Sequence, residues 1–201
     1  MSPRIISGAE TNPFERVMVF IDGAWLREIC DKHFGKDNSL FADTRKTFSH
    51  LSWIFKQMFN TYGENPFRAN LIRIYYYDAI VDETNPHYKA QREYFNAIDA
   101  QYAYTVRLRK LVESSKRGFK QKGVDVLMAI DALTKAYQDH YDTGMFMTGD
   151  GDFVPLIEAV KDAGKKTMCV YYPPNSSEDL IRCCDMRIDF DEKMIEGLVK
   201  K

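Results

Sequence analysis

The chain has little of what most metal, redox or membrane proteins advertise. Its 201 residues include four cysteines, Cys30, Cys169, Cys183 and Cys184. None forms a C-x-x-C pair, and the four histidines (His33, His50, His87, His140) stand apart from one another. That excludes a Cys/His zinc framework and fits reduced thiols in a cytosolic setting. No apolar h-region occupies the polar start Met1–Glu15, and no run of 18 apolar residues follows, so signal-peptide and membrane-span readings drop out. A soluble, cytoplasmic protein is the expectation. There is no G-x-G-x-x-G after the first strand, which removes the dinucleotide fingerprint. There is no D-x-D there either, which removes the haloacid-dehalogenase type of phosphotransferase. Charge of one sign is also missing: 28 basic residues face 29 acidic ones, for a net charge of −1. A tail-driven nucleic-acid binder is excluded, local patches are not. Internal repeats and low-complexity tracts are absent.

What is present is a regular alternation of elements. Val17–Ile21 is a short continuous apolar run, suited to a strand buried on both faces. A helix over Ala24–Phe34, a loop over Gly35–Asp43 and a helix over Thr47–Thr61 follow. Asn70–Tyr77 reads as a second strand closing at Asp78, then Pro86–Gln101 as a helix. Tyr104–Leu111 alternates as a half-exposed strand, and Val112–Lys122 reads as a basic hairpin-like connection. A helix over Val124–Tyr137 precedes a buried strand at Thr143–Thr148 and a helix over Phe153–Ala163 with Gly164 as its C′ glycine. A strand at Thr167–Tyr172, a short helix at Ser177–Cys183, a strand at Met186–Phe190 and a helix at Glu192–Val199 complete the chain. The length fits one domain over 16–201, with 1–15 as a flexible N-terminal segment. Strand–helix alternation calls for a parallel sheet with helices on both faces, and in such sheets the functional crevice lies beyond the carboxyl ends of the strands.

Four aspartates fall at that edge. Asp22 follows the first strand, Asp125 opens the Val124–Tyr137 helix, and Asp150 and Asp152 follow the Thr143–Thr148 strand. Each has an ordinary explanation as a turn, helix-start or cap residue. Together they point to a cation, because converging carboxylates repel unless a positive charge neutralises them. Oxygen ligands without Cys or His suit Mg²⁺ or Mn²⁺, ions that activate water and neutralise charge on a phosphate.

Phe20-Ile-Asp-Gly23, Lys122-Gly-Val-Asp-Val126 and Thr148-Gly-Asp-Gly-Asp-Phe-Val-Pro155 together resemble the NYN domain of the PIN-like nuclease superfamily, in its LabA/DUF88 branch. The resemblance runs from about Val17 to Asp189. It implies a Rossmann-like α/β/α three-layer sandwich around a mainly parallel sheet, and metal-dependent endoribonucleolytic hydrolysis of RNA. By motif it makes Asp22, Asp125, Asp150 and Asp152 both the catalytic set and the metal ligands for Mg²⁺ or Mn²⁺. Thr148 then positions the acidic loop or a phosphate. Asp78, in a YYYD segment, is a peripheral candidate with a turn role beside it, and Asp131 has a surface or structural role. The family usually reads D-G-x-N after the first strand, and here Trp25 stands at the last position. A core or interface aromatic, a platform for stacking a base, and a weakened nuclease that has become an RNA-binding module are its three readings.

Basic residues lead into Asp125. Arg107, Arg109, Lys110, Lys116, Arg117, Lys120 and Lys122 include a single acid, Glu113. They fit either a charged strand edge or a guide for phosphates, with Arg107, Arg109, Lys120 and Lys122 as substrate contacts. Lys122 or a neighbour would stabilise developing charge. Tyr75, Tyr76 and Tyr77 fit core packing better than base stacking. RNA is the implied partner, no membrane is implied, and a homodimer is left open.

Overall fold

Apolar runs too short for helices and too continuous for half-exposed strands dictate the centre of the molecule. A computed structural model describes residues 14–34, 51, 55, 68–114, 118–120 and 123–197. Six parallel strands form the main sheet, in the order β3-β2-β1-β6-β7-β8. They are β1 (Phe14–Asp22), β2 (Arg68–Ile80), β3 (Tyr104–Lys110), β6 (Thr143–Met147), β7 (Lys166–Tyr171) and β8 (Met186–Asp189). A two-stranded antiparallel ribbon, β4 (Val112–Ser114) with β5 (Gly118–Lys120), matches the expected hairpin. The architecture is the expected α/β sandwich.

Most strand boundaries shift by a residue or two from the sequence reading, and two shift further. β1 begins at Phe14 rather than Val17, because the polar Glu15 and Arg16 still pair with β2. β2 runs past Asp78 to Ile80, because Asp78, Ala79 and Ile80 remain in register with Leu108, Arg109 and Lys110 of β3. The helix expected over Thr47–Thr61 lies largely outside the described residues. Leu51 and Phe55 from it are helical and buried.

Strand alternation divides the core in two. One face carries Val17, Val19, Ile21, Ile74, Tyr76, Met145 and Met147. It packs against α1 (Gly23–Phe34) through Leu26 and Ile29, and against α2 (Tyr88–Asp99) through Phe95 and Ile98. The other face carries Met18, Phe20, Tyr75, Tyr77, Phe146 and Cys169. It packs against α3 (Val124–Tyr137), α4 (Val154–Asp162) and α5 (Glu178–Cys183). A last helix, α6 (Glu192–Gly197), ends the described chain. Gly164, at φ 76°, ends α4 as its C′ glycine, a left-handed position that glycine fills without a Cβ penalty.

This winding matters for function. Successive connections from β1 go to β2 and β3 on one side, and the chain then returns to place β6 on the other. Strand order therefore reverses between β1 and β6, the place where a crevice opens at the carboxyl edge of a doubly wound sheet. Asp22 ends one of these strands and Thr148 follows the other.

An aromatic row braces the sheet beneath this point. Phe20 stacks between Tyr75 (centroids 5.8 Å apart) and Phe146 (5.2 Å). Phe146→Ala removes a fully buried ring from that row, with an expected loss of roughly 3–5 kcal/mol. Urea denaturation checks it, and a loss under about 1 kcal/mol would show that the row is not under packing control.

Candidate functional site

Asp22 is held from both sides. Its Oδ1 accepts hydrogen bonds from the backbone N–H groups of Ala24 (3.1 Å) and Trp25 (3.2 Å), so it caps α1. Its Oδ2 accepts one from the Thr148 hydroxyl at 3.2 Å. The strand can turn straight into the helix because residue 23 is glycine. A Cβ there would come within 2.6 Å of the Tyr76 ring and 2.7 Å of Asp78 Oδ2. The cap role and a role in a charged site therefore coincide in one side chain.

Thr148 is fully buried and joins the two strands at the switch point. While donating to Asp22, its hydroxyl oxygen also accepts the Asp150 N–H at 3.3 Å. The Asp150 carboxylate in turn accepts the Asp152 N–H at 2.9 Å, which caps the turn Gly151–Phe153 that runs into α4. Asp150, not Asp152, is thus the capping residue. Two glycines let the β7–α5 connection close over this loop. A Cβ on Gly149 would lie 2.0 Å from the Asn175 carbonyl oxygen and 2.3 Å from Trp25 Nε1, and one on Gly151 would lie 2.8 Å from Ser177 Oγ. Ser177 donates its N–H to the Gly149 carbonyl at 2.8 Å.

Asp125 sits in the first turn of α3, behind Gly123 at φ +79°. Burial, followed by the charges of Asp150 and Asp152, holds its carboxyl above the usual range. Burial, the largest cause, also raises Asp22, with the charge of Asp125 adding to it and the hydrogen bonds from Trp25, Thr148 and Ala24 opposing it. Across more than a hundred positions of sequence, Asp22 thus lies in the field of Asp125, and Asp125 in the fields of Asp150 and Asp152. Among the described residues, no group of three His, Cys, Asp or Glu side chains is placed to hold a metal ion. Mg²⁺ does not require one: it keeps several waters and takes one or two carboxylates together with substrate phosphate. The all-oxygen donor set fits such an ion.

Other expected site residues fall elsewhere. Trp25 is 6% exposed within the core, and its indole N–H donates to the Asn175 carbonyl at 2.9 Å. A ring so enclosed offers no face to a base, and the core reading replaces the substrate-contact one. Thr148, at 0% exposure, positions Asp22 and the acidic loop rather than touching a phosphate. Asp78 is fully buried on the α1–α2 side of the sheet and pairs with Arg27, whose Nη2 donates to Oδ1 at 2.8 Å. It is a structural ion pair, not a peripheral ligand. Tyr75, Tyr76 and Tyr77 are all buried.

Arg107 and Arg109 project on the same sheet face as Asp22, in register with Tyr77 and Ala79 of β2. Arg107 pairs with Asp131 at 3.2 Å and lies over the Tyr75 ring at 5.7 Å, so half of its role is structural. The exposed Arg109 guanidinium reaches the start of α3, 3.6 Å from where a Gly123 Cβ would be. Lys122 lies outside the described residues, as do Lys116 and Arg117, and the Lys120 side chain is likewise not described. A polar knot around Asp131 escaped the sequence reading. Asp131 takes the Tyr77 hydroxyl at 3.2 Å and Lys135 at 3.1 Å, besides Arg107, and so ties α3 to β2 and β3. Its one sequence signal was Asp131 and Lys135 at i, i+4.

Comparison with known proteins places this geometry in context. The NYN domain family model matches residues 16–191. The low amplitude and bright protein LabA of Synechococcus elongatus is 24% identical over 193 residues, covering 92% of this chain and 88% of LabA. An uncharacterized protein of Methanocaldococcus jannaschii is 35% identical over 89 residues, 42% of this chain, and the match spans 37% of that relative's length. A crystal structure of a protein of unknown function from Vibrio parahaemolyticus superposes with a TM-score of 0.60 at 18% identity, over 92% of this chain and 98% of the other. No helix among the described residues is long and apolar enough to cross a membrane.

Raised carboxyls have a definite sign. The folded chain holds protons on Asp22 and Asp125 more tightly than the unfolded chain does. Stability therefore falls as pH rises from the ordinary carboxylate range through the raised values, and stays lower above them. In EDTA at pH 7, Asp125→Asn is expected to melt about 1–4 °C above the parent. That gain shrinks as pH is lowered toward about 4. A variant that melts lower at pH 7 would show that the cluster is not repulsive.

Proposed function

The chain belongs to the NYN domain family, a nuclease-like family, and from that membership we propose that it is a metal-dependent endoribonuclease that hydrolyses RNA phosphodiesters. The observation that carries the reading is the shared field of Asp125 with Asp22, Asp150 and Asp152 at the β1–β6 switch point. Asp22, Asp125, Asp150 and Asp152 would hold Mg²⁺ or Mn²⁺ there. The chemistry such an ion supplies is an activated water and neutralisation of charge on the phosphate.

The chain's own residues do the positioning. Thr148 and the first amides of α1 fix the Asp22 carboxylate, and the Asp152 amide fixes that of Asp150. Arg109, with the unpaired side of Arg107, would hold backbone phosphates beside the carboxylates, and Lys120 and Lys122 extend the same basic segment. Arg109 and Lys110 also close an edge strand, where charge discourages pairing with another sheet. The substrate is RNA, with a homodimer compatible with the fold. The described cysteines are free, three of them buried, which suits a cytoplasmic setting.

Trp25 supports a second reading, an RNA-binding module with little or no catalysis. Its buried indole occupies the place of the polar residue usual in the family, and its N–H is committed to Asn175.

Labelled single-stranded RNA, purified protein and Mn²⁺ separate the two. Cleavage is expected from the parent, abolished by EDTA and by Asp150→Asn, and lowered roughly 10- to 100-fold in Thr148→Ala, which frees Asp22. RNA binding with no cleavage supports the module, and equal cleavage by parent and Asp150→Asn marks a contaminant and ends the enzyme reading. Arg109→Ala is expected to weaken RNA binding and to reduce the log–log salt slope by about 0.7. An unchanged slope in a filter-binding series would remove Arg109 from the phosphate path.

A further inference from the structure

A cavity of about 460 Å³ opens between α1 and α2, over the ends of β2 and β3. Because β1, β2 and β3 are parallel, it lies at the same carboxyl edge as Asp22, against α1 and α2. Its walls are mainly apolar, from Ala79, Phe95 and Leu111 with the ring of Tyr94, and its rim is polar, from Arg27, His87 and Gln91. Arg27 stands about one helical turn beyond Gly23.

The rim is biased toward donors. Gln91 Oε1 accepts the Val81 N–H at 3.0 Å, which fixes the amide so that its nitrogen, with two N–H groups, is the free end. Arg27 carries five N–H groups and is anchored by buried Asp78, so it neither swings away nor leaves an uncompensated charge. No carboxylate among the described residues lines the cavity. Aromatic and aliphatic walls with donors at one edge suit a planar ring that presents carbonyl oxygens, and a charged group is not demanded. The volume lies in the range of small-molecule sites.

We infer that this cavity is a nucleobase pocket, taking a carbonyl-bearing base (guanine or uracil) splayed out of a single-stranded RNA near the Asp22 site. It rests on the RNA reading above for its ligand class. Unstacked bases read at their edges are how single-stranded RNA is recognised by sequence, and a paired base could not enter. Adenine, with an amino group where the rim also offers donors, fits worse.

The test is calorimetric titration of the full chain in EDTA with GMP, UMP and AMP, which share the sugar and phosphate and differ in the base. GMP or UMP is expected to bind at least about tenfold more tightly than AMP. Gln91→Glu keeps an oxygen for Val81 and replaces the donor end by an acceptor, so it should narrow or reverse that preference. Ala90→Phe, at an exposed position that lines the cavity, should fill it and remove binding of all three. No saturable binding, equal binding of the three, or binding indifferent to both variants overturns the pocket. RNA cleavage by a protein that binds no nucleotide overturns the pocket alone. Base-selective binding without cleavage overturns the nuclease reading and leaves the pocket standing.

Discussion

Like charges held together at the edge of a sheet dictate much of how this molecule is built. Asp22 is raised by burial and by Asp125, and Asp125 by burial and by Asp150 and Asp152, so the folded chain carries a standing repulsion at the switch point. The surrounding structure absorbs it through hydrogen bonds rather than through ion pairs. Two amides of α1 and the Thr148 hydroxyl converge on Asp22, and the Asp152 amide on Asp150. Among the described residues, Arg107 and Arg109 come from β3, and Arg109 reaches toward the start of α3. Cations placed directly on the carboxylates would have neutralised that repulsion.

The sequence displayed the fold well where burial is two-sided. Val17–Ile21 and Thr143–Thr148 are continuous apolar runs because both faces of central strands are covered, and Gly164 announced a helix end through a conformation few other residues accept. Asp22, Asp125 and the Asp150–Asp152 loop could be placed toward one edge from sequence, because sheet topology sets strand ends there, and Asp125 does feel the charges of Asp150 and Asp152. Less legible was anything set by distant partners. Asp78 looked like a strand terminator, yet a buried aspartate can sit inside a strand when an arginine from another element meets it, and nothing local signals Arg27. Trp25 offered three readings until the Asn175 carbonyl, 150 positions away, was seen to take its N–H. Asp131 was read as a surface or structural residue, and its role in tying α3 to the sheet depends on Tyr77 and Arg107 from two strands.

The two faces of the sheet carry different responsibilities. On the α3 face, Asp22, Tyr77 and Arg107 lie in one row across β1, β2 and β3, so acid and base are separated by a buried tyrosine rather than by solvent. On the α1–α2 face, the Arg27–Asp78 pair stiffens the wall of a cavity on the same edge. Carboxylates, basic side chains and a recess thus lie along one edge of the sheet.

The contact among Trp25, Gly149 and Asn175 has a consequence for sequence drift. Asn175 meets Trp25 through a main-chain oxygen while its side-chain oxygen accepts from Lys32 at 3.4 Å, and Gly149 has no room for any side chain at all. One junction thus ties α1, the acidic loop and the β7–α5 connection together. Relatives that fill position 149 would have to rebuild the whole β7–α5 connection, and with it the seat of the acidic loop.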